Sequence, residues 1–301
     1  MEARKNMQRV HNIVSVVAGI AALGLLLSGC GTGSTNNSSQ AAIRVSSSIN
    51  QWGSVAQSLG GSHVEVTNIL SNTSVEAHDY EPTTADVSAI SAADIIVVNG
   101  AGYDSWAQQA AESTKATVVN AAQVAGIKDG SNPHIWFSAA VRKAFAKALS
   151  DAYAQKDPQH SAEYSKNFEQ WESAEQDLQS QIDTAKSTTE GKTYVATESV
   201  GWYLADDLGM KDGTDSGYAQ AMSNESEPSA SDILAMQNTL SSGDAALLIV
   251  NSQESNSVSE RIAATAKEHN IPIVELSEQM PQQYSDLHEW IGALVKAFAA
   301  A

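Results

Sequence analysis

Cysteine is almost missing from this 301-residue chain: Cys30 stands alone. A single thiol excludes an internal disulfide, a Cys-rich zinc module and an iron–sulfur cluster. Basic residues are also scarce, 17 Lys and Arg against 35 Asp and Glu for a formal charge of -18. A chain of that sign repels polyphosphate, so a basic nucleic-acid-binding surface is ruled out as the default reading. Long apolar runs are confined to the first thirty residues; beyond them nothing is long enough to span a bilayer. Nor is there an H-E-x-x-H pair, the usual announcement of a metallohydrolase with its general base. What remains, at 42% hydrophobic residues, is too apolar for wholesale disorder, and the length suits one large or two ordinary domains.

The N-terminal segment reads as an export signal. Arg4, Lys5 and Arg9 make a positive start, Ile13 to Leu27 an apolar stretch, and Leu27-Ser28-Gly29-Cys30 a small-residue end. The tetrapeptide resembles a bacterial lipobox, which implies cleavage before Cys30 and a thioether-linked lipid on its sulfur. Residues 1–29 are thus expected to be signal peptide, and 30–41 a lipidated cysteine with a flexible tether rich in Gly, Ser and Asn. Without residues 1–29 the chain keeps 14 basic and 34 acidic side chains.

Beyond Ala42 short apolar runs alternate with amphipathic stretches. Ile43 to Ser47, Val64 to Leu70, Ile95 to Val98 and Thr117 to Asn120 read as one set of strands; Thr193 to Thr197, Ala246 to Asn251 and Ile271 to Leu276 read as a second. Strands alternating with helical segments such as Ala230 to Leu240 and Val258 to His269 predict parallel sheets with crossover helices. Between the two sets, Ser161 to Ser187 contains no Gly or Pro and places Tyr164, Phe168, Trp171, Leu178 and Ile182 at helical spacing. The expected fold is therefore α/β, with two lobes, each a mostly parallel sheet flanked by helices, joined by one long backbone helix. The expected boundaries are 42–158, 159–188 and 189–301.

The residues that carry chemistry lie where strands run out, the usual place for a binding crevice in open α/β sheets. His78 occurs in Val75-Glu76-Ala77-His78-Asp79-Tyr80-Glu81-Pro82-Thr83, after the strand ending at Leu70. His134 occurs in Asn132-Pro133-His134-Ile135-Trp136-Phe137, where the proline disfavours helix at Asn132. Alone, the first reads as a surface histidine and the second as a core one; together they are half of a four-point metal site. The other histidines beyond the N-terminal signal, His63, His160, His269 and His288, read as separate surface residues.

In order and spacing, Ser46-Ser47-Ser48-Ile49, His78-Asp79-Tyr80-Glu81-Pro82-Thr83, Ala93-Asp94-Ile95-Ile96-Val97-Val98-Asn99-Gly100 with Trp106, and Pro133-His134-Ile135-Trp136 resemble the metal-binding lipoproteins of bacterial ABC importers. These are the cluster A-I, TroA-like solute-binding proteins. The resemblance implies a transition-metal ion held between two lobes by two side chains from each. His78 and His134 would be the first pair. The third falls on Glu198, after Tyr194-Val195-Ala196-Thr197, at a position where members differ between His and Glu. A Glu there also suits a helix start. The fourth falls on Glu278 in Leu276-Ser277-Glu278-Gln279-Met280, a departure from the family's usual Asp, with Glu275 and the more distant Glu254 as competitors.

Two imidazoles and two carboxylates neutralise a divalent ion and offer many oxygens, which favours manganese over the four-coordinate, nitrogen- and sulfur-seeking zinc. The histidine-rich loop of many zinc-specific relatives is missing as well. The resemblance implies a carrier, not an enzyme: a monomer anchored through Cys30 on the outer face of the cytoplasmic membrane, partnered by an ABC permease and its ATPase. A surface adhesin of the same fold is the alternative and ranks lower because it needs no buried ligand set. A metallohydrolase ranks lower still.

Overall fold

Apolar runs flanked by helices on both faces build two four-stranded sheets in the computed structural model, which describes residues 42–75 and 80–301. Ala41–Ala301 forms one compact unit. The first lobe runs β1 (Ile43–Ile49), α1 (Asn50–Gly60), β2 (Val64–Leu70), α2 (Thr84–Ala92), β3 (Ile95–Val98), α3 (Ser105–Glu112), β4 (Thr117–Asn120), α4 (Ala121–Ala125) and α5 (Ala139–Lys156). The long helix α6 (Ser161–Thr189) follows. The second lobe runs β5 (Thr193–Ala196), α7 (Trp202–Asp207), β6 (Lys211–Asp212), α8 (Ser216–Ser223), α9 (Ala230–Ser241), β7 (Leu247–Asn251), α10 (Ser257–Glu268), β8 (Ile273–Leu276) and α11 (Leu287–Ala300).

The strand orders are β2-β1-β3-β4 and β6-β5-β7-β8, and every pairing is parallel. Strands covered on both faces lose the in–out alternation of an exposed sheet; accordingly all four residues of β3, Ile-Ile-Val-Val, are buried. The order in which strands are added reverses once in each sheet, between β1 and β3 and between β5 and β7. Such a switch opens a crevice at the carboxyl ends of the strands. At Gly53 of α1 a Cβ would meet the Asn68 side chain of β2, 1.6 Å from its Oδ1, so a larger residue there would displace that exposed amide.

Helix α6 has 29 residues, about 44 Å at 1.5 Å per residue. It buries Tyr164, Trp171, Glu175, Leu178, Ile182, Ala185 and Thr189 on one stripe packed against α5 and α11. The charged member of that stripe, Glu175, meets Arg142 of α5, whose side chain is wholly buried, at 2.6 Å. His288 Nε2 of α11 lies 3.0 Å from the other Glu175 oxygen. Burial alone would raise the Glu175 pKa, but the His288 hydrogen bond and the Arg142 charge and hydrogen bonds outweigh it and hold the group at about 2. His288 is therefore part of a buried network, not the surface residue its sequence context suggests. Among the described residues no helix is long and apolar enough to cross a membrane.

Candidate metal centre

Five strand ends supply the side chains that meet between the lobes. Beyond β4 and α4, Asn132 and His134 flank Pro133, and His134 opens the 3-10 turn Ile135–Phe137. His134 is 2% exposed. The Asn132 carboxamide is oriented by its Nδ2, which donates to Ser199 O across the cleft at 2.9 Å. Its Oδ1 therefore faces His134 and accepts from the backbone N–H at 3.0 Å and from Nδ1 at 2.8 Å. Because a carboxamide oxygen can only accept, Nδ1 carries a proton, and in the neutral imidazole Nε2 is then the nitrogen able to ligate. His134 Nε2 lies 3.8 Å from Glu198 Oε1.

Glu198 follows β5 in extended conformation and leads the 3-10 turn Ser199–Gly201. Glu278 follows β8 and is fully buried. Asn251, the last residue of β7, stands between the two acids: its Nδ2 donates to Glu198 Oε2 at 2.5 Å and to Glu278 Oε1 at 3.1 Å. Its Oδ1 accepts from the Gln253 backbone N–H at 3.0 Å, which fixes the orientation of that amide too. One neutral amide thus spends both its protons on holding two carboxylates side by side, an arrangement that would otherwise be repulsive.

The turn after β3 brings the last partner. Gly100, at a left-handed φ of 78°, sits where a Cβ would be 2.3 Å from Asn120 Oδ1, and the buried Asp104 accepts from the Asn99 and Gly100 N–H groups at 2.6 and 2.9 Å. Tyr103 in this turn donates its hydroxyl to Glu278 Oε2 at 2.5 Å and accepts from Gln279 Nε2 at 3.1 Å. Burial first, then the charge of Glu278 and the hydrogen bond to it, push the Tyr103 hydroxyl well above its ordinary pKa, so it remains a donor. Asn99 ties this turn to the histidine loop, donating to Pro133 O at 2.9 Å while its Oδ1 accepts from Trp52 Nε1.

His134, Glu198 and Glu278 each place one potential ligand atom within 4.8 Å of the other two. Two of these residues come from the second lobe and one from the first. Glu275, the competitor for the fourth position, is exposed on β8 and lies away from this group. His78 and Cys30 lie outside the described residues. After His78, the Tyr80 and Thr83 hydroxyls both donate to Asp86 Oδ2 at 2.6 Å, and α2 starts with a capping box in which Asp86 Oδ2 accepts from the Thr83 N–H at 2.7 Å and Thr83 Oγ1 from the Asp86 N–H at 3.3 Å. Before it, the carbonyl of Val75 accepts from Gln253 Nε2 at 3.0 Å. Gln253 also bonds Gln279, the neighbour of Glu278. The lobes are further joined by a two-way hydrogen bond between the Asn50 amide and the Met280 backbone, at 2.7 and 3.1 Å, and by Gln51 Nε2 donating to Glu278 O.

Asn251, Tyr103 and Asn132 have no counterpart among the sequence-derived site residues. Amides and tyrosines form no recognisable spacing, and the only available signal was position: Asn251 ends a strand at the switch point, and Asn132 precedes Pro133.

A two-lobed α/β protein with a buried imidazole and two carboxylates converging at the facing switch points of its sheets has the architecture of a cleft-type solute-binding protein. Residues 45–301 match the family model described as ZnuA, zinc-uptake complex component A, periplasmic, and the chain belongs to that family. It is 25% identical over 299 residues to the high-affinity zinc uptake system protein ZnuA of Bacillus subtilis, covering 91% of this chain and 84% of that one. It is 28% identical over 200 residues to the manganese-binding lipoprotein MntA of Halalkalibacterium halodurans, covering 64% of this chain and 66% of the relative. Among solved structures, the periplasmic zinc binding protein TroA from Treponema pallidum superposes with a TM-score of 0.74 at 15% identity, over 86% of this chain and 99% of that chain.

Proposed function

We propose that the protein captures a divalent transition-metal ion between its lobes, with manganese favoured and zinc next, and delivers it to the permease of an ABC importer driven by its ATPase. The observation that carries this reading is the convergence of His134, Glu198 and Glu278 within 4.8 Å in a cleft closed by both lobes. His78 is the fourth ligand in this reading. His134 Nε2 is the nitrogen left facing the cleft, and Glu198 Oε1 is the oxygen nearest to it. Neutral imidazoles with two carboxylates cancel the charge of the ion, and the preponderance of oxygen suits manganese. Family membership supports the carrier role, and the relatives' names span both zinc and manganese. Lipid on Cys30 would hold the protein at the outer face of the cytoplasmic membrane, where a monomer can meet the permease.

Zinc stands above manganese in intrinsic affinity for sites of this kind, so the informative quantity is the metal carried from a mixture and its dependence on donor type. Elemental analysis of protein isolated from cells grown with both ions is expected to find manganese in excess of zinc. Glu198→His, which replaces an oxygen donor with nitrogen, is expected to raise the zinc-to-manganese affinity ratio by about tenfold or more, one nitrogen-for-oxygen exchange toward zinc's preferred donors. Zinc alone in the isolated protein would make zinc the cargo, and an unchanged ratio in Glu198→His would remove Glu198 from the ligand set.

A further inference from the structure

A second group of metal-binding side chains lies at the start of the linking helix. His63 ends the 3-10 turn Gly61–His63 between α1 and β2, His160 ends the turn Pro158–His160, and Glu163 lies in the first turn of α6. Sequence context makes the two histidines separate surface residues; the fold instead stacks their rings with centroids 3.9 Å apart and planes 22° from parallel. One potential ligand atom from each of His63, His160 and Glu163 lies within 4.8 Å of the others. Beneath them is Asp157, 3% exposed. Its Oδ2 accepts from His160 Nδ1 at 2.6 Å and from the Tyr164 hydroxyl at 3.0 Å. Its Oδ1 is buried with no hydrogen-bond partner.

We infer that His63, His160 and Glu163 form a second, solvent-accessible site for a borderline divalent ion such as zinc, with Asp157 orienting His160 from behind. A carboxylate on Nδ1 of a histidine leaves Nε2 as the donor and raises its basicity, the outer-shell partner that metal-bound histidines usually have. The group's charge suits a dication: two neutral imidazoles and two carboxylates sum to zero once the ion is bound. The same carboxylates offset the positive end of α6, which would otherwise oppose a cation there.

Coordination requires accessible side chains to move, least at the pair already in contact. His63 Nε2 and Glu163 Oε2 are 2.8 Å apart, and two ligands about 2.0–2.1 Å from one tetrahedral ion are separated by roughly 3.3 Å. The rings must also turn from stacked to convergent. His63, His160 and Glu163 are exposed by 23%, 30% and 60% at their side chains, and water completes the coordination. Two imidazoles and one carboxylate favour zinc over manganese, so this site differs from the cleft in donor balance as well as in place. A bound ion would pin the entry of β2 to the first turn of the spine helix.

The test is zinc titration of the full-length protein, stripped of metal and carrying no polyhistidine tag, by calorimetry with elemental analysis of the dialysed product. The wild type is expected to bind two zinc ions per chain. The double variant His63→Gln/His160→Gln is expected to bind one, and Glu163→Gln to weaken the second equivalent while keeping the first. His63 and His160 are half-buried and His160 bonds the buried Asp157, so circular dichroism and melting curves of the metal-free proteins check folding, and the exposed Glu163→Gln carries the test if the double variant does not fold. Two ions in both proteins, or one in both, would overturn the second site. One ion in the wild type and none in the double variant would uphold it while overturning the cleft reading, so the two conclusions fail separately.

Discussion

Glu175→Gln is expected to destabilise the protein by about 3–5 kcal/mol, because it leaves the charge of a buried arginine without its counter-charge. Arg142 is 0% exposed, and its Nε and Nη2 donate to Glu175 at 2.6–3.2 Å. Its Nη1 donates to the carbonyls of Trp136 and Phe137 at 3.1 and 2.8 Å. The network therefore ties α5, α6 and α11 to the turn that begins at His134, and the damage should reach the cleft as well as the spine. Urea unfolding followed by circular dichroism measures the loss.

The pH dependence has a definite sign. Glu175 falls from its ordinary 4.5 to about 2 on folding, so the unfolded state binds the proton more readily. The stabilisation is fully present above about pH 4.5 and is lost as pH falls toward 2. Glu175→Gln should flatten that acid limb of the stability curve. A loss below about 1 kcal/mol, the scale of an exposed pair, or an acid limb like that of the wild type, would show that the network is not stabilising.

Glu278→Gln is expected to weaken manganese and zinc by more than about 100-fold, the upper end for residues that merely orient a ligand. The substitution removes an anion from a fully buried position and puts an amide where Tyr103 and Asn251 both donate. Asn251→Ala should cost about 10–100-fold, since both carboxylates lose their shared donor. Glu275→Gln, on the exposed side of β8, should leave affinity unchanged. Calorimetric titration of the three variants decides the assignment: metal lost from Glu275→Gln and kept by Glu278→Gln would reverse it.

Strands β3 and β7 were readable because cover on both faces makes them nearly unbroken apolar runs. Strand ends were less so. Strand β1 runs two residues past the expected end at Ser47, through the buried Ser48 to Ile49. The final strand starts at Ile273, not Ile271, because Pro272 between them cannot donate to a ladder. Strand β6 is two exposed residues, Lys211 and Asp212, paired to β5 at the sheet edge, and carries no hydrophobic signal at all.

The same contrast runs through the cleft. His134, Glu198 and Glu278 stood out through motif and position after strands. Asn251 and Tyr103 owe their roles to hydrogen bonds between segments distant in sequence, which no local pattern records. Glu175 did leave a trace: it interrupts the apolar series Trp171, Leu178, Ile182 on the buried stripe of α6, and a charge there demands a buried partner. His63 and His160 left none, because their stacking depends on how α1 and β2 approach the start of the spine.

Anomalous diffraction from crystals grown with manganese would locate the ion and its ligands in one experiment. One strong manganese peak is expected between the lobes, roughly 2.0–2.3 Å from His134 Nε2 and from carboxylate oxygens of Glu198 and Glu278, with the His78 imidazole completing the shell. A manganese-saturated crystal with no peak touching those three side chains would contradict this ligand set.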